Sequence, residues 1–124
     1  MTKTILITGA SSGIGKAAAR LFHEKGWNVV ATMRSPDKET ELATLDNVLV
    51  TRLDVSDQES IAAAISAGID RFGRIDALVN NAGYGQFGVF EAVPVEKIKQ
   101  QFDVNVFGVM DVTRAILPHF RANK

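Results

Sequence analysis

The sequence predicts an α/β domain whose core is a doubly wound parallel sheet of about four strands, in the order 3-2-1-4, with helices on both faces. Short, wholly apolar runs alternate along the chain with longer segments of helical period. Strands that are apolar throughout indicate a sheet covered on both sides. Because crossovers between parallel strands are right-handed, the doubly wound arrangement is favoured over other topologies.

The strand and helix candidates follow one another regularly from the start of the chain. The predicted strands are Thr4–Ile7, Asn28–Met33, a run from Val48 that ends at Asp54, and Ala77–Val79. Residues 14–25 predict the first helix. Its predicted buried face consists of Ile14, Ala17, Ala18, Leu21 and Phe22.

The later segments predict a loop and further helices. Residues 34–46 are polar and predict a loop with a short, weak helix. Ser56 and Glu59 fit a capping box, in which the serine caps a free amide, and predict a helix that runs to about Phe72. The last helical segment passes through Asn105.

Size and composition fit one globular domain over residues 1–124. The chain carries 14 Lys and Arg against 14 Asp and Glu, so it has no net field that would draw in nucleic acid or an anionic membrane. No apolar run is long enough to span a bilayer, and the start shows no signal-peptide pattern. Cysteine is absent, which excludes disulfides and thiolate chemistry and favours a cytoplasmic location.

Two further sets of residues are predicted to be structural. His23 and His119 have no carboxylate or second histidine nearby at metal-ligand spacing, so both are predicted at the surface and no metal site is expected. An apolar stripe is predicted to be core or oligomer surface and not a substrate pocket. It consists of Val104, Phe107, Val109 and Met110.

A glycine-rich segment joins the first strand to the first helix. It reads Thr8-Gly9-Ala10-Ser11-Ser12-Gly13-Ile14-Gly15. Glycines at such a turn let the backbone approach a pyrophosphate, and the free amides and positive end of the helix then face the phosphates. The spacing differs from the Gly-x-Gly-x-x-Gly of the usual dinucleotide fingerprint. An ordinary turn is the alternative, but the position between strand and helix favours a phosphate site.

Two segments resemble the signatures of a known family. Residues 8–15 are similar to the cofactor motif of the short-chain dehydrogenases/reductases, and Asn80-Asn81-Ala82-Gly83 is similar to that family's second signature. Asp54 and Asn105 fall where the family places an adenine-binding aspartate and a catalytic asparagine. Over its whole length the chain therefore resembles the classical type of this family. The resemblance implies a Rossmann-type sheet and hydride transfer between NAD(H) or NADP(H) and an alcohol or carbonyl.

The resemblance also implies the role of each candidate site residue. The implied cofactor site consists of Gly9, Ser11, Ser12, Gly13, Ile14, Gly15, Arg34, Asp54, Asn81, Ala82 and Gly83. In it Ile14 offers a backbone amide and Asp54 accepts from the adenine amino group. Asn105 is the one catalytic candidate and would bind a water in the proton relay. From the residues alone, Asp54 is equally a turn residue, and asparagines such as Asn81 also suit strand ends.

The end of the second strand favours NADP(H) over NAD(H). An NAD site usually has an acidic residue there, which accepts hydrogen bonds from the ribose 2′-hydroxyl. Met33 stands at that position, and Arg34 after it offers a guanidinium to a 2′-phosphate. Ser11 can add a hydroxyl. The alternatives are that Arg34 is a solvated loop cation and that Asp37, further along, restores NAD(H) binding.

Part of the family's catalytic machinery is not found in the sequence. In the family, a serine positions the substrate oxygen, a tyrosine exchanges the proton, and a lysine four residues later lowers the pKa of the tyrosine. A phenol has an ordinary pKa near 10, so it needs such a neighbour to act as a base at neutral pH. Tyr84 is the only tyrosine, and Gly88 stands four residues on. We therefore expect an incomplete domain, the cofactor half, with those groups beyond Lys124 and no activity by itself.

An incomplete sheet has consequences for partners. Without a fifth strand, Ala77–Val79 becomes an open apolar edge, and the last helix loses packing partners. We therefore expect a homo-oligomer that binds neither nucleic acid nor membrane, with a small alcohol or carbonyl compound as the substrate that the resemblance implies. The alternative is a non-catalytic nucleotide-binding or interaction module with the same fold.

Overall fold

A computed structural model describes residues 2–124. Within this range four strands form one parallel sheet in the order β3-β2-β1-β4, which confirms the predicted fold class and strand order. The strands are β1 (Thr4–Ile7), β2 (Asn28–Met33), β3 (Val48–Arg52) and β4 (Ala77–Val79). The helices are α1 (Gly13–Glu24), α2 (Gln58–Phe72), α3 (Val95–Phe102) and α4 (Val109–Ala122), with a π-helical segment, Asp103–Gly108, between the last two.

The side chains of the sheet alternate between two apolar cores, one on each face. Ile5 and Ile7 of β1 pack in the core on the α1 side, whereas Leu6 packs in the core formed with α2 and α4. In β2, Val29 and Val30 divide between the two cores in the same way. Since successive side chains point to opposite faces, a strand covered on both faces must be apolar throughout.

The buried face of α1 differs from the predicted one. Gly15 and Ala19 are buried and Phe22 is partly buried, whereas Ile14 and Leu21 are 81% and 52% exposed. Ala18 and Phe22 pack against the core on this side of the sheet, so the predicted face is confirmed at these two positions. It is wrong at Ile14, Ala17 and Leu21, which are exposed.

The start of α2 also differs from the prediction, because Asp57 and not Ser56 caps the helix. Asp57 Oδ1 accepts hydrogen bonds from the amides of Glu59 at 3.1 Å and Ser60 at 3.3 Å. The Ser56 hydroxyl donates instead to Asp54 Oδ1 at 2.6 Å. Two neighbouring residues can each cap a helix, and here the carboxylate occupies the capping position.

The segment between β2 and β3 contains two short 3-10 helices in place of a single weak helix. They are Pro36–Lys38 and Leu42–Thr44, and a third such helix, Phe90–Ala92, lies before α3. Leu42 is fully buried in the core on the α1 side. Leu42, with the partly buried Leu45 packed against the same core, anchors an otherwise polar segment to the sheet.

His23 and His119 are both partly buried, so the surface position predicted for each is wrong. The Nε2 of His119 accepts a hydrogen bond from the amide of Ile75 at 3.0 Å. The Asn123 side chain donates to the His119 carbonyl at 2.9 Å, and Arg74 donates to the Asn123 carbonyl at 2.7 Å. These bonds fix the end of α4 to the segment that leads into β4.

No helix within residues 2–124 is long and apolar enough to cross a membrane.

Candidate functional site

A cavity of about 730 Å³ opens at the carboxyl ends of the strands. Loops that follow β1, β2, β3 and β4 form its walls, together with the first turn of α1 and the beginning of the π-helical segment. β1 lies at the centre of the order β3-β2-β1-β4, where the chain reverses its direction across the sheet. Open α/β sheets bind ligands in the crevice at such a switch point.

The cavity brings most of the predicted cofactor residues together. Those that line it are Gly9, Ser11, Ser12, Ile14, Arg34, Asp54, Asn81, Ala82 and Gly83. Gly13 and Gly15 do not line it. Gly13 is exposed and Gly15 is buried beneath the loop. Leu53 and Val55 flank Asp54 and supply an apolar part of the wall, which was not predicted from the sequence.

The loop after β1 is packed too closely for side chains at two of its glycines. Gly9 has a φ of +67°, and a Cβ there would lie 2.9 Å from the Cα of Ala82. A Cβ on Gly15 would lie 2.3 Å from the carbonyl oxygen of Gly9. The backbones of this loop, α1 and the loop after β4 therefore meet with no room between them.

Thr8 joins the two loops through its hydroxyl. The oxygen accepts hydrogen bonds from the amides of Asn81 and Ala82, both at 3.0 Å, and the residue is 1% exposed. In return the Asn81 side chain donates to the carbonyl of Gly9 at 3.0 Å. No role for Thr8 was predicted from the sequence, although a polar residue at the end of an apolar strand was the signal available.

The start of α1 has no side-chain cap. Ser12 occupies the capping position but makes no side-chain hydrogen bond to the first turn, in contrast to Asp57 on α2. Ser12 and Ile14 both line the cavity. The uncapped amides and the positive end of the helix dipole can therefore be satisfied by an anion in the cavity.

Asp54 presents an ionised carboxylate to the cavity. The Ser56 hydroxyl and amide, at 2.6 and 2.9 Å from Oδ1, hold the pKa of the Asp54 carboxyl below its ordinary value. Burial opposes this effect by raising the pKa, and the charges of Arg52 and Arg34, each a smaller influence than burial, lower it again. Both bonds from Ser56 use Oδ1. Among the described residues no donor bonds to Oδ2, so that atom is available to a ligand.

Met33 and Arg34 form the wall at the end of β2. Met33 is 3% exposed, whereas Arg34 is exposed. Beyond Met33 lies a second, smaller cavity of about 180 Å³, which shares Met33 and Ser11 with the first. Asp37 lines neither cavity. The smaller cavity was not predicted from the sequence, because it depends on how residues 35–40 fold back.

Asn105 lies in the π-helical segment and not in a regular helix. Its Oδ1 accepts from the amide of Tyr84 at 3.0 Å, and its Nδ2 donates to the Tyr84 carbonyl at 2.6 Å. The side chain thus holds the loop after β4 against this segment. Tyr84 lines the cavity and Asn105 does not. The role of Asn105 in a proton relay stays a prediction.

The predicted apolar stripe is divided between different environments. Val104 packs against the core on the α2 and α4 side, as predicted, and also lines the cavity. Val109 is partly buried, whereas Phe107 and Met110 are about half exposed, at 53% and 49%. The change from α-helical to π-helical geometry at Asp103–Gly108 breaks the regular period on which the stripe was based.

Fold and site together define the class of protein. A parallel sheet with a cavity at its switch point, an uncapped helix start and a glycine loop beneath it has the architecture of a dinucleotide-binding domain. Among the described residues there is no group of three or more His, Cys, Asp or Glu that could hold a metal ion.

Comparison with known proteins identifies the family. The family model for short chain dehydrogenases matches residues 3–124, and the chain belongs to that family. "Uncharacterized oxidoreductase YusZ" of Bacillus subtilis is 41% identical over 96% of this chain and 44% of its own length. The 2-(R)-hydroxypropyl-CoM dehydrogenase of Xanthobacter autotrophicus is also 41% identical, over 96% of this chain and 51% of its own length.

A solved structure agrees with this assignment. The 3-ketoacyl-(acyl-carrier-protein) reductase of Brucella melitensis, complexed with NADH, superposes with a TM-score of 0.92 at 38% identity. The match covers 98% of this chain and 51% of the Brucella chain. The chain therefore spans about half the length of the relatives that it matches.

Replacing Thr8 by valine is expected to destabilise the protein by about 2 kcal/mol, because the amides of Asn81 and Ala82 both lose their acceptor while the side-chain shape is kept. Urea unfolding measures the change. Thr51→Val is the matched control, since the Thr51 hydroxyl makes no hydrogen bond with any residue between 2 and 124. Equal stability of the two variants would contradict the role given to Thr8.

Proposed function

We propose that residues 1–124 form the NADP(H)-binding domain of an oxidoreductase that transfers hydride between the nicotinamide and an alcohol or carbonyl substrate. The observation that carries this proposal is the convergence of three features on one cavity at the sheet's switch point. These are the uncapped start of α1, the ionised Asp54 and the loop that contains Asn81. Membership of a family of dehydrogenases supports the reaction class.

The residues in the cavity suit the parts of a dinucleotide. Its volume of about 730 Å³ falls within the range of about 300–1,000 Å³ that is common for ligand pockets. The amides around Ser12 and Ile14 suit the pyrophosphate, and the free Oδ2 of Asp54 suits the adenine amino group. The loop of Asn81 and Gly83 would border the rest of the cofactor. When bound, the nicotinamide supplies or accepts the hydride.

The preference for NADP(H) rests on the end of β2. A carboxylate there would accept from a ribose hydroxyl and repel a phosphate, but Met33 occupies the position. Arg34 and Ser11 both line the cavity and can donate to a 2′-phosphate. NAD(H) is the second candidate, because the related Brucella reductase is complexed with NADH.

Arg34→Ala is expected to weaken NADP+ binding about tenfold and to change NAD+ binding less than twofold, since only NADP+ carries the 2′-phosphate. Calorimetric titration of the purified chain with each nucleotide measures both affinities. Arg71→Ala is the matched control, because Arg71 packs over Phe72 at the far end of α2. Equal weakening of the two nucleotides by Arg34→Ala would contradict the preference, and binding of neither by the wild-type chain would contradict the function.

We further propose that this chain binds cofactor without turnover. Tyr84 is its only tyrosine, and the residue four positions later, where the family has a lysine after its catalytic tyrosine, is Gly88. The Tyr84 hydroxyl makes no hydrogen bond with the described residues. A panel of small aldehydes and ketones with NADPH is expected to give no oxidation of NADPH above background. Tyr84→Phe is expected to match the wild type. Clear reduction that is lost in Tyr84→Phe would instead make Tyr84 the proton donor.

Self-association is proposed through the apolar surface of the α3–α4 region. Phe102, Phe107, Met110 and Leu117 are each about 40–55% exposed there, and β4 is an edge strand. Sedimentation is expected to show a mass above that of the monomer, and Phe107→Asp is expected to lower it. Phe87→Asp, in an exposed loop, is the control. A monomer at all concentrations would contradict the proposal.

The cytoplasmic location stays a prediction.

A further inference from the structure

Lys16 is held between two carboxylates beside the smaller cavity. Its Nζ lies 3.3 Å from Glu39 Oε1 and 3.5 Å from Glu41 Oε1. The Glu39 side chain is 3% exposed, whereas that of Glu41 is 58% exposed and also pairs with Arg20. Because solvent screens exposed pairs strongly, Glu39 is the partner that restrains Lys16.

The two oxygens of Glu39 make separate contacts. Oε1 faces Lys16, while Oε2 accepts hydrogen bonds from the amides of Glu41 at 2.8 Å and Leu42 at 2.9 Å. The carboxylate therefore does two things at once. One oxygen folds residues 39–42 into their turn, and the other holds the lysine.

Lys16 and Glu39 line the smaller cavity of about 180 Å³, next to the end of β2. Lys16 and Lys38 bring positive charge to its wall, and Ser11 and Ser35 bring hydroxyls. Glu39 brings the one negative charge among the residues that line it. An anionic group that enters from the side of Ser11 and Met33 thus meets two ammonium groups, of which one is already paired.

We propose that Glu39 is a specificity-determining residue that limits the affinity for the 2′-phosphate of NADP(H). It acts by pairing with Lys16 and by placing its own charge on the cavity wall. The inference rests on the proposed function, and it takes that phosphate to lie beside Ser11 and Met33, where the two cavities meet, with Arg34 on the larger side and Lys16 on the smaller. Cofactor preference is then set by a balance of charges and not by Arg34 alone.

The geometry allows the charge of Glu39 to be removed while the turn that its side chain stabilises is kept. In Glu39→Gln the side-chain carbonyl can take the place of Oε2 and keep both backbone hydrogen bonds. The amide nitrogen then stands opposite Lys16, donor against donor, and the ion pair is lost. The variant therefore separates the electrostatic role of Glu39 from its structural one.

The test is a titration of four variants with NADP+ and with NAD+. The quantity compared is the affinity for NADP+ divided by the affinity for NAD+. Glu39→Gln is expected to raise this ratio about fivefold, which is the effect of one unit charge a few ångströms away in a solvent-accessible site. Lys16→Gln is expected to lower it by a similar factor. The double variant restores the net charge and is expected to return to the wild-type ratio within twofold. Glu41→Gln, the exposed control, is expected to change the ratio less than twofold.

The possible failures are distinct. A wild-type chain that binds neither nucleotide overturns the proposed function and this inference with it. A wild-type chain that binds NADP+ while Glu39→Gln leaves the ratio unchanged overturns this inference alone. A merely structural role would weaken both nucleotides equally, and that result also overturns it. Should Glu39→Gln fail to fold, Lys16→Gln still decides, because an unchanged ratio in that variant contradicts the charge balance.

Discussion

The hydrogen bonds of the Thr8 hydroxyl are the constraint on which the site depends. β1 and β4 are neighbours, but the loops that leave them run in different directions, one into α1 and the other towards Tyr84. The hydroxyl accepts from two successive amides of the second loop, so both loops are fixed relative to one another at the edge of the sheet. A valine would fit the strand equally well, but it has no acceptor for these amides.

The close approach of the backbones follows from this tie. With the two loops joined, α1 begins directly over the carbonyl of Gly9, where only glycine fits at position 15. The helix consequently lies closest to the sheet at Gly15 and Ala19, with Phe22 partly buried further along, while Ile14 and Leu21 remain exposed. The glycine spacing of the motif is therefore as much a packing requirement as a phosphate-binding one, and the uncapped first turn is left open to the cavity.

The sequence predicted the sheet and most of the cavity because both depend on local signals. Apolar strands and the residues at their ends fix which side chains meet at one edge, as Asp54 and Asn81 do. The errors fall where packing decides between similar local options, as in the buried face of α1 and in the choice of Asp57 over Ser56 as cap. The smaller cavity was not predictable, because Glu39 is far from Lys16 in sequence and only the folded loop brings them together.

The distribution of charge explains how a chain of zero net charge can prepare an anion site. The start of α1 supplies partial positive charge, and Arg34 adds a full charge at the end of β2. Two of the carboxylates nearby are engaged, since Asp54 is bonded to Ser56 and Glu39 to Lys16. An engaged carboxylate still contributes its charge, so the field at each point of the cavity depends on the balance within each pair. In the proposed site, selectivity between NADP(H) and NAD(H) would depend on this balance, because the two cofactors differ only by one phosphate.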